Sequence, residues 1–563
     1  MHDLVHDLAI FVSGEVSFRL DLSNDLHSLS DNTRHLSFRK DTCDLGKLKV
    51  LCKAKCLRTF VALPLDKLYE PDCSKYPVPY DLLLSTGSCL RVLSLSQSSI
   101  QELPDSISHL KHLRYLDLSY TEIRELPDSI CTLYNLQTLL LSRCGNLSRL
   151  PKNMGSLMNL RHLDIEGVPL KEMPPQITNM KYLRTLSHVV LGYGQSGFKI
   201  KMLNEFEHLH GKLGILGLEN IVDAAEASEG NLTNRNSLSK IYFRWNANAG
   251  AAESSQKEKE VLDALRPHTN LTELEIEFYR GTIFSNWLVD HSFSNLVSVC
   301  LRDCKYCWAL PPLGQLPSLK ELIIGGFDSV VSIGDEIHGS GTSFSSLEVI
   351  YIGDMLEWKE WSFSEAILEV GIFPRLTFLV FYNCPKLVVG LPGYLPSLKE
   401  LHINDCEQME VLLFRNQQSV TASSSLNSKL KSLVLKRCKT LFKNSMNWDL
   451  QRHPCLETLN IIEWEDESFP DEGLLPTTLT DISIQHSSKL EGLNGKAFQQ
   501  LTSLKSLYIH VCQSLRCLPE EGLPTSLEDL TIAYCPLLKQ RCEEGGEDWP
   551  KISHIPSLRL KNI

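Results

Sequence analysis

A leucine pattern that recurs at a fixed interval is the feature that most constrains this sequence. Segments beginning at Leu90, Leu113, Leu136 and Leu160 each open with L-x-x-L-x-L or L-x-x-L-x-I. The starts of these four segments and of the next, at Leu183, are 23, 23, 24 and 23 residues apart. A period of this size indicates a repeat architecture, in which one unit cannot bury its own apolar face and packs against its neighbours.

Each repeat combines a short strand with a return segment. Side chains alternate along a strand, so Leu116 and Leu118 are predicted to point inward and Tyr115 and Asp117 outward. A Leu-Pro pair then ends the strand, because proline cannot donate to the ladder. The period and core match the leucine-rich repeat. We therefore predict the α/β class: a leucine-rich-repeat solenoid, that is, a curved parallel β stack with an irregular or helical convex side.

The second half of the chain is less regular but keeps the strand signature. It recurs as LKELIIGG at 319, LTFLVFYNC at 376, LKSLVLKRC at 430 and LEDLTIAYC at 527. RHLSF at 34 and CLRTFVAL at 56 are degenerate opening strands. The pattern predicts about twenty strands, stacked at ~4.8 Å per strand.

The chain contains 18 cysteines, which in a secreted protein would indicate a disulfide framework. Many of them instead occupy one repeat position, the last of L-x-x-L-x-L-x-x-C. The cysteines at this position are Cys144, Cys304, Cys384, Cys406, Cys438, Cys512 and Cys535. Thr121 and Ser487 fill the same slot, so the common requirement is a small side chain. We predict buried structural thiols that bond neighbouring backbone groups, not disulfide bridges.

The period is interrupted in several places. Between residues 191 and 270 the composition predicts an irregular insertion with helices at 222–235 and at KEKEVLDALRPH. Polar, small-residue stretches at 334–345 and 415–429 predict surface loops. Residues 1–13 have apolar side chains at helical spacing and are predicted to form a helix.

Composition and motifs limit the functional classes. A formal net charge of −12 and a pI near 5.9 argue against non-specific nucleic-acid binding, which needs a basic face. No stretch approaches the roughly 18 apolar residues of a membrane-spanning helix, and the N-terminus lacks the basic region of a secretory signal. The hydrolase motifs G-x-S-x-G and H-E-x-x-H do not occur. We therefore expect a cytoplasmic protein that is not an enzyme.

Two groups of residues resemble metal sites. Cys304 and Cys307 have ligand spacing, with Cys300 nearby, but no second Cys or His pair follows at a zinc-like distance. A second group consists of Cys535, Cys542 and His554 near the C-terminus. Because Cys304 and Cys535 occupy the repeat slot, we expect structural roles and no bound metal.

The outward strand positions are the candidate binding residues, because stacking aligns them in columns on the concave face of a solenoid. Exposed aromatic and arginine side chains are frequent anchors in protein interfaces. The predicted partner-binding residues are Arg114, Tyr115, Asp117, Arg161, His162, Asp164, Tyr242, Arg244, Trp245, Glu273, Glu275, Glu277, Lys431, Lys436, Arg437, Tyr508 and His510. For Trp358, Trp361 and Trp464 the sequence leaves open whether they contact a partner or pack inside the protein.

The ordered motifs MHDLVHDLA, RHLSF, KCLRTFVAL, LRVLSLS, LPDSI, LRYLDLSYT, VLDALRPHTNL and GEDWPKISHIP span nearly the whole chain. This series resembles the plant intracellular disease-resistance proteins of the coiled-coil, NB-ARC, leucine-rich-repeat family. The resemblance implies that residues 1–30 are the helical C-terminal remnant of the nucleotide-binding module. It implies repeat blocks over 31–190 and 271–563, the second ending in a C-terminal cap, on either side of the insertion at 191–270.

The resemblance also bears on cofactors. In the family the histidine of the Met-His-Asp motif, His2 here, lies by the β-phosphate of bound ADP. The phosphate-binding loop G-x-x-x-x-G-K-[ST] does not occur in this chain, and a single histidine cannot replace its backbone cradle. We therefore expect no cofactor here, since ADP or ATP would require the missing nucleotide-binding module.

The resemblance implies protein partners. The first functional hypothesis is the effector-sensing and autoinhibitory repeat region of a plant immune receptor. It would bind a pathogen effector or a guarded host protein, together with the nucleotide-binding module. The alternative is a free-standing truncated repeat scaffold or decoy that binds a partner in trans without a nucleotide switch.

Overall fold

A computed structural model describes residues 12–20, 30–39, 56–63, 88–194, 197–248, 255–339, 344–361, 372–388, 395–409, 429–438 and 450–561. The chain forms two compact units: the first comprises residues 1–249 and 264–271, and the second comprises 250–263 and 272–563. The division predicted from the sequence, at residues 30, 190 and 270, is a different one and stays a prediction. Residues 1–11 of the predicted N-terminal helix, with His2, and residues 415–428 of the predicted loop lie outside the described residues.

In the first unit, eight parallel strands pair in chain order, β1 to β8. They are Ser17–Leu20, His35–Arg39, Thr59–Leu63, Val92–Ser94, Tyr115–Asp117, Thr138–Leu140, His162–Asp164 and Thr185–Leu186. The pairing is in register with the repeat, so Leu93, Leu116 and Leu139 stack on one another and are fully buried. The predicted alternation of inward leucines and outward polar residues is therefore confirmed for these strands.

The return segments of the first unit are 3-10 helices. They span Asp105–His109, Asp128–Thr132, Lys152–Ser156, Pro175–Asn179 and Ile200–Glu205. Four of them begin directly after a proline, for example Pro104 and Pro127 of the Leu-Pro pairs. Each buries an apolar residue against its neighbours, such as Ile107 and Ile130. Proline thus ends the outgoing chain and sets the start of the return helix.

The described part of the N-terminal segment agrees with the prediction only in part. Val12 and Ser13, the described residues of the helix predicted over 1–13, are helical, and Gly14–Val16 is a 3-10 turn. The sequence predicts helix as far as residue 30, but β1 follows this turn directly. β1 pairs in parallel with β2, so it is the first strand of the stack. Phe18 lies opposite Leu36 in this pairing. The apolar residue of β1 is therefore in register with that of β2, and the short strand can extend the edge of the sheet.

The segment predicted as an irregular insertion, 191–270, also contains strands. Strands β9 (His188–Val190), β10 (Gly211–Leu216) and β11 (Leu238–Arg244) pair in parallel and continue the strand series through it. The pattern LSKIYFRW at 238 predicts β11, whereas β9 and β10 were not predicted from the sequence. In β10 the sequence GKLGIL carries Gly214 at an outward position, which hides the usual polar–apolar alternation. Of the helical prediction at 222–235, the structure contains α1 (Ala224–Ser228) and a 3-10 turn at Leu232–Asn234.

The second unit contains the other strands, β12 to β27. They are Glu273–Glu277, Ser298–Arg302, Glu321–Gly325, Ser332–Ile333, Val349–Gly353, Glu360–Trp361, Phe378–Tyr382, Glu400–Asn404, Ser432–Lys436, Thr458–Ile462, Ser468–Phe469, Asp481–Gln485, Gly492–Leu493, Ser506–His510, Asp529–Ala533 and Ser557–Lys561. The two-residue strands form two separate pairs, β15 with β17 and β22 with β24. The remaining twelve pair in parallel and in chain order.

In the described part of this unit, four helices accompany the strands: α2 (Ser255–Ala264), α3 (Gly495–Gln499), α4 (Pro536–Cys542) and α5 (Trp549–Ile552). α2 is the helix predicted at KEKEVLDALRPH, and its Val261 and Leu262 are buried as expected. The indole of Trp287 donates to the carbonyl of Leu262 at 2.7 Å, which fixes this helix against the stack. Among the described residues, no helix combines the length and the apolar composition that spanning a bilayer requires.

The cysteine slot has the predicted structure. The residue before it adopts a left-handed conformation, for example Tyr120 (φ 58°) and Arg143 (φ 60°), so the chain turns inward at the end of the strand. Thr121 donates to the carbonyl of Leu118 at 2.7 Å, and the thiol of Cys144 donates to the same carbonyl at 3.1 Å. The seven slot cysteines are buried and free, so the prediction of structural thiols is confirmed.

Candidate partner-binding surfaces

In the first unit the predicted outward residues fall into aligned columns. Tyr115 lies beside Thr138, which lies beside His162, while Asp117 and Asp164 flank Leu140 in the next column. Arg114 and Arg161 precede their strands and are exposed, whereas the side chains in the two columns are half-buried. The predicted residues are therefore aligned, but the two arginines are more exposed to a partner than the side chains in the columns.

Asp117 and Asp164 are already engaged within the chain. Asp117 accepts from the hydroxyl of Ser94 at 3.0 Å and from the backbone N–H of Ser119 at 3.0 Å. Asp164 is bound in the same way by Ser142 and by the backbone N–H of Glu166. These carboxylates stabilise the turns that follow their strands, and this use reduces the number of oxygens open to a partner.

His162 is a half-buried member of the same surface. Its Nδ1 lies 2.9 Å from the hydroxyl of Thr185 on the next strand, and His35 makes the same contact with Thr59 at 3.0 Å. Burial, and secondly the positive charge of Arg184, lowers the pKa of His162. This imidazole is therefore more often neutral than a solvated one and presents a polar, uncharged edge to the surface.

At β11 the prediction is wrong for one residue. Tyr242 and Arg244 are half-buried outward residues, but Trp245 is 1% exposed and lies in the core. The alternation of side chains along a strand explains the error. Phe243 points inward, and Trp245, two residues later, therefore points to the same side. A tryptophan in this position contributes to core packing rather than to partner binding.

In the second unit the predicted cations are neutralised within the chain. Lys431 forms a salt bridge with Glu457 at 2.9 Å, and Lys436 forms one with Glu463 at 3.3 Å. Arg437 contacts Asp405 and also lies 3.3 Å from Glu463. The salt bridge with Glu457 raises the pKa of Lys431. A partner would have to displace these carboxylates, and the binding role of the three cations stays a prediction.

The remaining predicted residues lie near the two ends of the second unit. Glu273 is exposed, and Glu275 and Glu277 follow it on β12 as half-buried outward residues. Tyr508 and His510 lie together on β25 with ring centroids 5.6 Å apart. Burial, and secondly the charge of His486, lowers the pKa of His510. Because these groups are on different strands of a long array, the structure does not bring all predicted site residues into one site.

Sequence reasoning missed an apolar surface in the middle of the second unit. We name it the aromatic patch, and it consists of the outward residues Ile323, Tyr351, Phe378, Val380, His402 and Val434. The ring centroids of Tyr351 and Phe378 are 5.4 Å apart, and those of Phe378 and His402 are 5.0 Å apart. Val380 is only 7% exposed although it points outward, because these neighbouring rings cover it.

A signal for this patch was present in the sequence. Strand β18, FLVFY, is a continuous apolar run in which the outward positions are as apolar as the inward ones. A strand with one solvated face normally alternates, so such a run on a repeat surface indicates an outward apolar face. The patch is the most apolar part of the described outward columns and is therefore the first candidate for partner binding.

The open question on the tryptophans is settled in part. Trp358 and Trp361 are buried in the second unit with ring centroids 5.8 Å apart, and both pack near Phe381. Trp464 is half-buried, and its indole donates to the carbonyl of Ser468 at 3.0 Å. Trp358 and Trp361 thus belong to the core, and sequence position alone did not distinguish them from contact residues.

Cys304 and Cys307, of the first group that resembles a metal site, form backbone contacts. The thiol of Cys307 donates to the carbonyl of Gly281 at 3.2 Å, and that of Cys304 to the carbonyl of Arg302 at 3.4 Å. Burial raises the pKa of both thiols, which disfavours the thiolate that a metal ligand requires. Within the described part of the chain, no group of three or more His, Cys, Asp or Glu residues is placed to hold a metal ion.

Comparisons with known proteins agree with this architecture. The family model described as "R13L1/DRL21 LRRs" matches residues 200–327, and that described as "Leucine rich repeat" matches residues 88–145. The first of these matches begins inside the segment that the sequence analysis assigned to an insertion.

Three relatives are disease resistance proteins. The putative disease resistance RPP13-like protein 1 of Arabidopsis thaliana is 36% identical over 97% of this chain and 50% of its own length. A second putative disease resistance protein of Arabidopsis thaliana is 42% identical over 72% of this chain and 29% of its own length. The putative disease resistance protein RGA4 of Solanum bulbocastanum is 34% identical over 85% of this chain and 47% of its own length. The chain thus spans about half the length, or less, of these relatives. It belongs to the plant disease resistance family and corresponds to its leucine-rich-repeat portion.

Proposed function

We propose that this chain is the effector-sensing repeat region of a plant immune receptor, acting in the cytoplasm by protein–protein binding and not by catalysis. Its partner is a pathogen effector or a host protein that the effector modifies. The observation that carries the proposal is the aromatic patch, an outward apolar surface on a repeat array whose relatives are disease resistance proteins.

The patch has the chemistry of a protein interface. Aromatic side chains contribute large contact areas at a small cost in conformational entropy, and they dominate the binding energy of many interfaces. Charged residues border the patch: Lys320 and Glu348 form a 3.2 Å salt bridge at the start of neighbouring strands. An apolar centre with a polar rim is the usual arrangement of a specific protein-binding surface.

In the receptor, binding on this surface would shift an equilibrium. We extend the proposal to the resting state, in which the repeat region holds the nucleotide-binding module off. A partner that binds the active arrangement more tightly than the resting one then changes their populations. The proposal assigns no cofactor to this chain, since the nucleotide would be held by the separate module.

The test is a binding screen of the purified chain against a defined panel of pathogen effectors and candidate host targets. We expect at least one member to bind the wild type, and Phe378→Ser and Tyr351→Ser to weaken that binding at least about tenfold by removing apolar contact area. The matched control is Trp308→Ser, which removes an exposed aromatic ring elsewhere in the same unit and should leave binding unchanged. Equal binding by the patch variants and the wild type would contradict the proposal.

The alternative, a free-standing scaffold or decoy without a nucleotide switch, makes the same binding prediction. Reading the native transcript in frame upstream of Met1 separates the two. A phosphate-binding loop encoded there supports the receptor, whereas stop codons directly upstream support the scaffold.

A further inference from the structure

The last described strand of the second unit, β27 (Ser557–Lys561), has a neighbouring strand on one side only. It pairs in parallel with β26, and the strand order of the sheet places no other described strand beside it. A strand at the edge of a sheet presents a row of backbone N–H and C=O groups that a further strand can pair with. Within the part of the chain that the structure describes, β27 is therefore an open edge.

The inward side chains of β27 are less buried than those of the strand before it. In β26, Leu530 and Ile532 are fully buried, because each lies between residues of two neighbouring strands. Leu558 and Leu560 are in register with these two residues but are only half-buried. The apolar core of the stack thus reaches the solvent at β27, and a further strand with apolar inward residues would cover it.

The helices that follow β26 do not cover this edge. α4 and α5 lie in the return segment between β26 and β27, and they bury Leu538 and Ile552. A repeat array needs a terminal element with a polar outer face, because its last repeat has no neighbour to cover the core. The partial exposure of Leu558 and Leu560 indicates that the two helices do not supply that element at the strand.

The outward side chains of β27 are basic. Arg559 and Lys561 are exposed and occupy alternate positions of the strand. Arg559 lies 3.4 Å from Asp529 on β26, and Lys561 forms no salt bridge with a described residue. A guanidinium group has five N–H donors, so Arg559 can bind a second carboxylate besides Asp529. Acidic side chains on an added strand could therefore form cross-strand ion pairs with both cations.

The same charges argue against a second copy of this chain as the occupant of the edge. Two copies of β27 related by a twofold axis through the middle of the strand would pair in antiparallel orientation, with Arg559 facing its own copy. Like charges directly opposite one another destabilise a pair of strands. Basic residues on this edge strand thus oppose self-association and favour a partner strand that is acidic.

We propose that the open edge of β27 binds an extended segment of a partner protein, which adds to the sheet as a further strand. The segment has an apolar residue at every second position, which covers Leu558 and Leu560. It has aspartate or glutamate in between, which pairs with Arg559 and Lys561. Backbone hydrogen bonds supply affinity in this mode of recognition, and the alternating side chains supply specificity. The site does not depend on the function proposed for the aromatic patch.

The test uses three fluorescent peptides of about eight residues, the length of a strand. The first alternates valine with glutamate, the second has the same composition in an order that does not alternate, and the third alternates valine with lysine. Fluorescence anisotropy with the full chain at about 50 mM salt should show binding of the first peptide at least about tenfold tighter than that of either other peptide.

Methylation of the peptide backbone tests the strand pairing itself. Along a strand the N–H groups, like the side chains, alternate in direction, so only every second N–H of the peptide points to β27. One version of the first peptide carries N-methyl groups on its valines, and another carries them on its glutamates. One of the two should bind at least about tenfold more weakly and the other should bind like the parent peptide, because a methylated nitrogen cannot donate. An equal effect in both versions would contradict pairing along one edge.

Two chain variants locate the site. Arg559→Glu combined with Lys561→Glu should reverse the preference, so that the lysine peptide binds at least about tenfold tighter than the glutamate peptide. Arg559→Gln combined with Lys561→Gln is the milder version and should make the two peptides bind equally. The matched control is Lys489→Glu combined with Lys496→Glu, which changes the charge by the same amount at two exposed positions elsewhere in the unit. It should keep the preference of the wild type.

Three further outcomes would overturn the proposal: equal affinity for the alternating and the non-alternating peptide, an unchanged preference in both β27 variants, or no binding of any peptide. Sedimentation of the wild type and of the reversed variant gives a fourth. A wild-type dimer that the reversed variant does not form would show that the occupant of the edge is a second copy of this chain.

Discussion

The two units use the same repeat to make surfaces of opposite character. In the first unit most strand-entry positions carry arginines, such as Arg91, Arg114 and Arg161, which form no salt bridge with any described residue, and the neighbouring outward side chains include polar ones such as Tyr115, Asp117 and His162. In the second unit the same position carries paired lysines and glutamates, and the outward columns contain an apolar centre around Phe378. The comparison teaches that the inward leucines define the stack and leave the outward positions free to differ.

The difference has consequences for binding. A surface of unpaired charge acts over a Debye length and loses strength as salt rises, whereas an apolar surface acts at contact and responds little to salt. Two partners of different chemistry could therefore bind one chain without sharing contact residues. The predictions below test whether the two surfaces differ as described.

The largest effect is expected from acidification, through an outward residue of the first unit that is buried. His188 on β9 is 5% exposed and lies against Gly214, and its Nε2 has no hydrogen-bond partner among the described residues. Burial lowers its pKa to about 4, so the unfolded state binds the proton more readily than the folded one. This difference lowers the free energy of unfolding as the pH falls from ~6.5 to about 4, because protonation then favours the unfolded state. The total loss is on the order of 3 kcal/mol.

Urea unfolding of the wild type and of His188→Phe across pH 4–7 measures this effect. The free energy of unfolding of the variant should fall less with acid than that of the wild type. The control is His112→Gln, at an exposed position. Its free energy of unfolding should depend on pH in the same way as that of the wild type. Parallel profiles for the wild type and His188→Phe would refute the assignment.

A smaller effect is expected where the second unit packs an aromatic ring on its outward face. A Cβ on Gly353 would lie 2.0 Å from Cε1 of Tyr382, so this ring occupies the space that a side chain would need. Gly353→Ala should destabilise the protein by ~1–3 kcal/mol through this overlap. The control is Gly145→Ala in the first unit, where a Cβ meets nothing within 4 Å and little change is expected. Thermal unfolding checks both, and an unchanged Tm for Gly353→Ala would mean that the ring is not held there.

The smallest effect tests the charge comparison itself. Arg114→Gln removes one positive charge from a row of arginines that repel one another. It should leave the free energy of unfolding unchanged or raise it by roughly a few tenths of a kcal/mol. Lys431→Gln removes the partner of Glu457 and should lower the free energy of unfolding slightly, because an exposed salt bridge contributes little. In urea unfolding at low salt, Lys431→Gln should therefore be less stable than the wild type and Arg114→Gln should not, and the difference between the two variants should disappear at high salt. A loss of stability in both variants would show that Arg114 has a stabilising contact.

Much of the fold follows from local patterns, and less of the surface does. The repeat period predicted the strands, the Leu-Pro returns and the inward slot of Cys144, because each depends on residues close in sequence. The same reasoning failed at β10, where Gly214 interrupts the alternation, and at Trp245, where a large aromatic residue was assigned outward against its parity. It also overlooked the apolar run of β18, although the signal was in the sequence.

The sequence by itself determined that this chain is a stack of parallel strands, since a repeated leucine core has no other way to be buried. It also determined which residues are outward, because side-chain direction in a strand alternates with period two. Only the tertiary structure decided which outward residues are available. Lys431 meets Glu457 across 26 positions of sequence, whereas Arg91 and Arg114 lie on neighbouring strands and form no salt bridge with the residues that the structure describes. Such pairing depends on which residue the neighbouring strand places opposite, and that register exists only once the repeats are stacked.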